Sequence, residues 1–177
     1  VNFKVITVSR HITNMKNLKY FFFLALSVAI LSCSEDADEQ PLNEKRARIE
    51  VEFEGSLDQY MINFGIHSLN KGLNGFVTPI IQQPTDVEWT QVVEQANTYN
   101  LSMPLIFPKL IVGSKEPVHT IGFIFNAIHT GGIPDENFQE LKATIKVFGD
   151  DEEVKSYEYT ARPVGEVSMP LSETIRF

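Results

Sequence analysis

Cysteine is nearly missing from this chain: among 177 residues there is one, Cys33. A lone thiol forms no internal disulfide, so the fold must stand on packing. A chain of 177 residues, 43% of them hydrophobic, is long enough to build one core without covalent or metal staples. Tryptophan is equally scarce, with Trp89 alone, and there are four histidines. The signatures of common enzyme chemistry are missing too: no GxSxG, HExxH, GxGxxG, Walker A or EF-hand pattern occurs. Basic charge is in short supply. From Cys33 onward the chain carries 11 basic and 23 acidic residues, a net charge of −12. Such a surface repels nucleic-acid phosphates and anionic headgroups, and no basic stripe offsets it, so no nucleic-acid partner is expected.

What is present begins with the stretch before Cys33. Residues 1–32 contain Lys4, Arg10, Lys16 and Lys19 and no acid. Read from Met15, the segment MKNLKYFFFLALSVAILSC has a basic start and an apolar run, Phe21–Leu31, broken only by Ser27. The run has the length of a secretory h-region and is too short to span a bilayer comfortably. Ile30, Leu31, Ser32 and Cys33 resemble the lipobox of a bacterial lipoprotein precursor, with an aliphatic residue three before the cysteine and a small residue just before it. The resemblance implies that a diacylglycerol is attached to the Cys33 thiol, that the signal peptide is cut before it, and that the new amine is acylated. Two or three acyl chains anchor firmly where one is marginal. The simpler alternative is an ordinary signal peptide with an incidental cysteine.

Ser34, Glu35, Asp36, Asp38 and Glu39 follow. They make a short acidic tether that should stay extended. It resembles the acidic export signal after the lipidated cysteine of surface-displayed lipoproteins in some Gram-negative bacteria. Ser34 stands where a common inner-membrane retention signal has Asp. The expected address is therefore an outer-membrane lipoprotein facing outward, with a periplasm-facing anchor as the alternative. Domain boundaries follow: 1–14 as an upstream artefact with translation starting at Met15, 15–32 as signal peptide, 33–45 as lipidated cysteine and tether, and 46–177 as one folded domain.

That domain reads as strands. Residues 48–54, RIEVEFE, alternate strictly, with Ile49, Val51 and Phe53 opposite Glu50, Glu52 and Glu54, the period of a strand with one wet face. Tyr60, Ile62, Phe64 and Ile66 share a phase, as do Leu101, Met103 and Leu105. Residues 75–81 form a weaker strand that Pro79 places at an edge or a break. Residues 118–129 are apolar on both faces, as a central strand is. LKATIKVF and VKSYEYTA flank GDDEE as a hairpin, and a last strand lies within 166–177. Residues 85–97 are the exception: Thr85 and Glu88 fit a capping box, and Trp89, Val92, Val93 and Ala96 fall at helical spacing. A strand through EWTQVV is the rival. The expected fold is all-β, a two-sheet antiparallel β-sandwich, immunoglobulin-like, of seven or eight strands with at most one short helix near 86–96. A small barrel is second.

Candidate sites are sparse. His119 and His129 share a strand ten residues apart, about 33 Å at the usual strand rise, so they do not grip one metal. His67 has no partner at ligand spacing. Glu50, Glu52 and Glu54, and the acids of GDDEE, are read as solvated charges in preference to calcium or acid–base sites. No metal and no cofactor are expected. Trp89, Tyr60 and Tyr99 are the aromatics suited to a sugar platform, although aromatics in sandwiches are more often core. The loop 129–140, with Gly131 and Gly132 free to take positive φ and Pro134 stiffening it, is where recognition usually sits in such folds. Asn100-Leu101-Ser102 matches a glycosylation sequon of little meaning in a bacterial lipoprotein. The expected role is a non-enzymatic, lipid-anchored recognition or assembly module of the cell envelope, with a glycan or an envelope protein as partner. An envelope hydrolase with an unrecognised site and an accessory subunit of an outer-membrane complex are the alternatives.

Overall fold

The structure, a computed structural model, describes residues 43–177 apart from 73–74, 134, 163–164 and 167–168. Cys33, the apolar run before it and the acidic tether as far as residue 42 lie outside the described residues, as does Pro134; Lys45, read as the end of the tether, is bridged to Val118. Eleven strands are described: β1 (Ala47–Glu54), β2 (Tyr60–Lys71), β3 (Gly75–Phe76), β4 (Pro79–Gln83), β5 (Gln91–Val93), β6 (Thr98–Pro104), β7 (Lys109–Ser114), β8 (Thr120–His129), β9 (Lys142–Gly149), β10 (Glu152–Thr160) and β11 (Leu171–Arg176). They form a sandwich of a five-stranded sheet, β10-β9-β1-β7-β4, and a six-stranded sheet, β11-β8-β2-β6-β5, with β3 attached to the end of β2. All strand pairs are antiparallel. No helix among the described residues is long and apolar enough to cross a membrane.

Alternation builds the core. Ile49, Val51 and Phe53 of β1 face Ile62, Phe64 and Ile66 of β2 and Phe123 and Phe125 of β8, all of them buried. Each such side chain contributes about 1.5–3 kcal/mol by leaving water. A bulge between Ile66 and Ser68 shifts the phase of β2, so Leu69 is the next buried residue and His67 is turned outward.

The strand count exceeds seven or eight for identifiable reasons. Lys109–Ser114 adds β7, Gln91–Val93 adds β5, and residues 75–83 split into β3 and β4. The short helix read over 85–97 shrinks to a single 3-10 turn, Glu94–Ala96, ended by Asn97 with φ 48°. Sheet pairing outweighs helical spacing here. The Trp89 indole donates to the Pro79 carbonyl, and the Thr90 hydroxyl donates to the Asn100 carbonyl. Both contacts hold the segment extended beside β6. Strand β8, apolar on both faces, has its second face toward solvent: Ile124 and Ile128 are 37% and 42% exposed.

Candidate functional site

The two outer faces of the sandwich differ in charge. On the five-stranded sheet Glu50 accepts from Lys109 at 2.7 Å and from Arg48 at 3.2 Å, and Glu52 accepts from Lys109 at 3.1 Å. The hydrogen bond to Glu50 holds the Lys109 ammonium above its ordinary pKa. At the β9–β10 hairpin, Asp150 and Asp151 adopt positive φ. Asp150 accepts from the Arg46 N–H and Asp151 pairs with Arg48. The glutamates of β1 and the acids of the tip are therefore largely matched by bases of the same chain. Among the described residues no group of three His, Cys, Asp or Glu side chains is placed to hold a metal.

The six-stranded sheet presents a different surface. Strand register sets its outward residues in cross-strand rows. One row runs Asn126, Asn63, Ser102 across β8, β2 and β6. The next runs Ser172, Ile124, Gly65, Asn100, Gln91 across β11, β8, β2, β6 and β5. Ile128, Met61 and Pro104 flank them on one side, and Thr174, Gly122 and Ser68 on the other. These rows contain no acid and no base. His67 borders the rows: its ring lies over Gly122, where a Cβ would come within 2.7 Å of Nε2. The residue is exposed as a whole, yet burial of one flank lowers its pKa below the ordinary value, so the ring stays neutral at neutral pH.

A groove of about 420 Å³ runs over this face, between Thr90 and Gln91 at one side and Pro170 at the other. Side chains at its floor are held in defined orientations. The Tyr159 hydroxyl donates to Asn126 Oδ1 at 3.0 Å and accepts from the Ala127 N–H at 3.2 Å. That fixes Asn126 with its NH2 group as the remaining donor. Asn100 Nδ2 donates to Gln91 Oε1, and the Thr90 hydroxyl accepts from the Ser102 N–H. Asn100 and Ile124 lean in over Gly65, whose missing Cβ would sit 2.6 Å from Asn100 Oδ1 and 2.9 Å from an Ile124 methyl. The arrangement offers hydrogen-bond donors and acceptors without charge.

The structure does not bring Trp89, Tyr60 and Tyr99 together as a platform. Tyr60 and Tyr99 are 1% and 7% exposed. Trp89 is half-buried, tilted on Tyr99 at 5.8 Å and bonded to β4, and so seals the seam between the two sheets. Tyr157 and Tyr159 seal the opposite seam: Tyr157 donates to Glu173 of β11, and Tyr159 packs edge-on against Phe125. Tyr60 closes one end of the core with His129 and Phe138. Its hydroxyl accepts from the Leu141 N–H. Amphipathic aromatics fit such seams because one end is apolar and the other finds a polar partner. His129 sits at one end of β8 and His119 precedes the other.

The loop after His129 is pinned rather than free-standing. Gly131 lies against Gln59, the Ser56 N–H donates to the Gln139 carbonyl while the Ser56 hydroxyl accepts from the Gln139 N–H, and Phe138 stacks on Tyr60. Gly132 has open space around it, and Ile133 is 98% exposed. The amide rows lie elsewhere, on the sheet, and of their residues the sequence singled out only Asn100 and Ser102, as a glycosylation sequon and not as a surface. Asn63, Asn100 and Ser102 occupy the phase opposite the buried residues of β2 and β6, but only strand pairing shows that they meet.

No family model matches the chain, and no curated protein matches it. Solved structures do resemble it. A DUF4425 family protein from Bacteroides ovatus is 16% identical, with 75% of this chain and 96% of that one covered at a TM-score of 0.53. A DUF4425 domain of unknown function from Bacteroides vulgatus is 12% identical, with 76% and 97% covered at 0.55. A protein from Parabacteroides distasonis, solved by NMR in a calcium-bound form, is 14% identical, with 80% and 99% covered at 0.54. At these identities the likeness is one of fold.

Proposed function

We propose that this protein is a lipid-anchored, non-enzymatic recognition module of the bacterial cell envelope. In this reading Cys33 carries the lipid, the acidic tether places the domain at the outer surface, and the uncharged groove on the six-stranded sheet is the recognition surface. The observation that carries the recognition part is the contrast between the two faces. One is filled with carboxylates and ammonium groups; the other aligns amides and hydroxyls around a groove without a charge. Solvation alone is served by charged side chains, so a face that keeps its polarity and drops its charge is suited to contact. Calcium is part of the Parabacteroides structure. In this chain Glu50 and Asp151 pair with the chain's own cations and Asp150 accepts from the Arg46 N–H, so the reading includes no metal.

The assembly alternative has one observation in its favour: Val92 and Val93 of the edge strand β5 are 45% and 37% exposed, a short template for strand addition. Metabolic labelling with an alkyne fatty acid tests the anchor. The wild-type protein is expected to take the label and Cys33→Ser to lose it; equal labelling would remove the anchor from the reading. Proteinase K applied to intact cells tests display, with digestion expected and full protection contradicting it.

A further inference from the structure

We propose that the groove on the six-stranded sheet binds a short, neutral oligosaccharide laid across β8, β2, β6 and β5. The inference rests on the reading of this face as the recognition surface and adds the chemistry of its ligand.

Charge narrows the choice first. The rows from Ile128 to Thr174 hold no ionised side chain, and the chain from Cys33 onward carries −12. A phosphate or carboxylate ligand would find no cation in the groove and a repulsive field around it. A cationic ligand would be drawn instead to the carboxylates of other surfaces. Donor and acceptor supply comes second. Each primary amide has two N–H donors and a carbonyl acceptor, and a hydroxyl both donates and accepts. Sugar hydroxyls do both as well, so Asn126, Asn63 and Ser102 in one row match adjacent hydroxyls of a sugar chain. Asn63 stands at the centre, and among the described residues its side chain makes no hydrogen bond.

Apolar area comes third. Ile124 and Ile128 stand on the two sides of the Asn126–Asn63 pair, half-exposed and separated by amides. They offer aliphatic contact to the C–H faces of sugar rings. They do not form the continuous apolar centre of a stable protein interface. The four strands span about 14 Å at normal strand spacing, the scale of a few linked sugars. Among the described residues no aromatic ring stacks on the groove, so affinity should be weak, on the order of 1 mM.

The test is saturation-transfer NMR on the full-length protein in detergent micelles. The probes are cellotetraose, mannotetraose, xylotetraose and tetragalacturonate, and, in a separate co-sedimentation experiment after detergent removal, vesicles of phosphatidylglycerol. Transfer to at least one neutral tetrasaccharide is expected. Asn63→Asp and Asn63→Ala should weaken it by about tenfold or more. Tyr159→Phe, a positioning change that frees the Asn126 amide, should weaken that neutral probe without introducing binding of the acidic one. Thr144→Ala on the opposite face should leave it unchanged, and thermal melts confirm that each variant is folded. Asn63-dependent binding of tetragalacturonate or vesicles with none of the neutral sugars would overturn the ligand chemistry and leave the face as the recognition surface. If no probe binds in an Asn63-dependent way, both the ligand and the face are wrong.

Discussion

Tyr60 shows how far one side chain's role can lie from what its type suggests. Its ring is 1% exposed and its hydroxyl, 3.3 Å from the Leu141 N–H, satisfies a buried donor. Tyr60→Phe keeps the ring and orphans that N–H, which should lower stability by about 1–3 kcal/mol in a urea melt. Burial raises the Tyr60 pKa above 10.0. The fold therefore favours the neutral phenol: its contribution is complete below pH 10.0 and declines as pH climbs through the raised value. Tyr60→Phe should accordingly flatten the alkaline fall in Tm, and an unchanged alkaline limb would show that other groups control it. Gly55 makes a second case. It has φ +112°, and a Cβ there would meet the Glu140 carbonyl oxygen at 2.5 Å. Gly55→Ala should cost about 1–3 kcal/mol, roughly 4–12 °C of Tm by calorimetry, because strained backbone and close approach coincide. Single residues of this kind were not legible beforehand. Tyr60, Tyr99 and Trp89 looked alike as exposed-ring candidates, and which seam each one closes depends on contacts between residues far apart in the chain.

At the scale of elements, the alternating strands were legible and the mixed ones were not. β1 and β9 bury one phase of a strict two-residue repeat, as does β2 between Tyr60 and Ile66, and that repeat is visible without a structure. β7 escaped notice, because KLIVGS is short and follows Pro104 and Pro108, which read as a break. The segment 85–97 carried two conflicting periodicities, and the Trp89 and Thr90 contacts to β4 and β6 decided for extension. β8 was legible as a strand but not in its setting, since its outward isoleucines are exposed and Ile124 lines the groove. Its inward face is central to the core: Phe125 packs on Phe53 at 5.9 Å and edge-on against Tyr159 at 4.8 Å. Phe125→Ala should cost about 3–5 kcal/mol in denaturant midpoint experiments. A loss under about 1 kcal/mol would mean that the two sheets repack around the gap.

Across the whole molecule the account joins an address to a surface. In the proposed reading residues 15–39 supply the address, as an export signal, a thiol that takes lipid and an acidic spacer. Residues 43–177 describe a sandwich with one charged outer face and an uncharged groove on the other. The uncharged groove was the hardest part to foresee, because its amides lie on strands β2, β6 and β8, whose adjacency is a property of the folded sheet. The central claim is that a sulfur-linked lipid at Cys33 holds this sheet-rich body at the envelope. It is tested most directly by comparing the membrane partition of wild type and Cys33→Ser after a high-salt wash. The account predicts wild type in the washed membrane pellet and the serine variant in the soluble fraction or medium; a serine variant that stays with the washed membranes would contradict it.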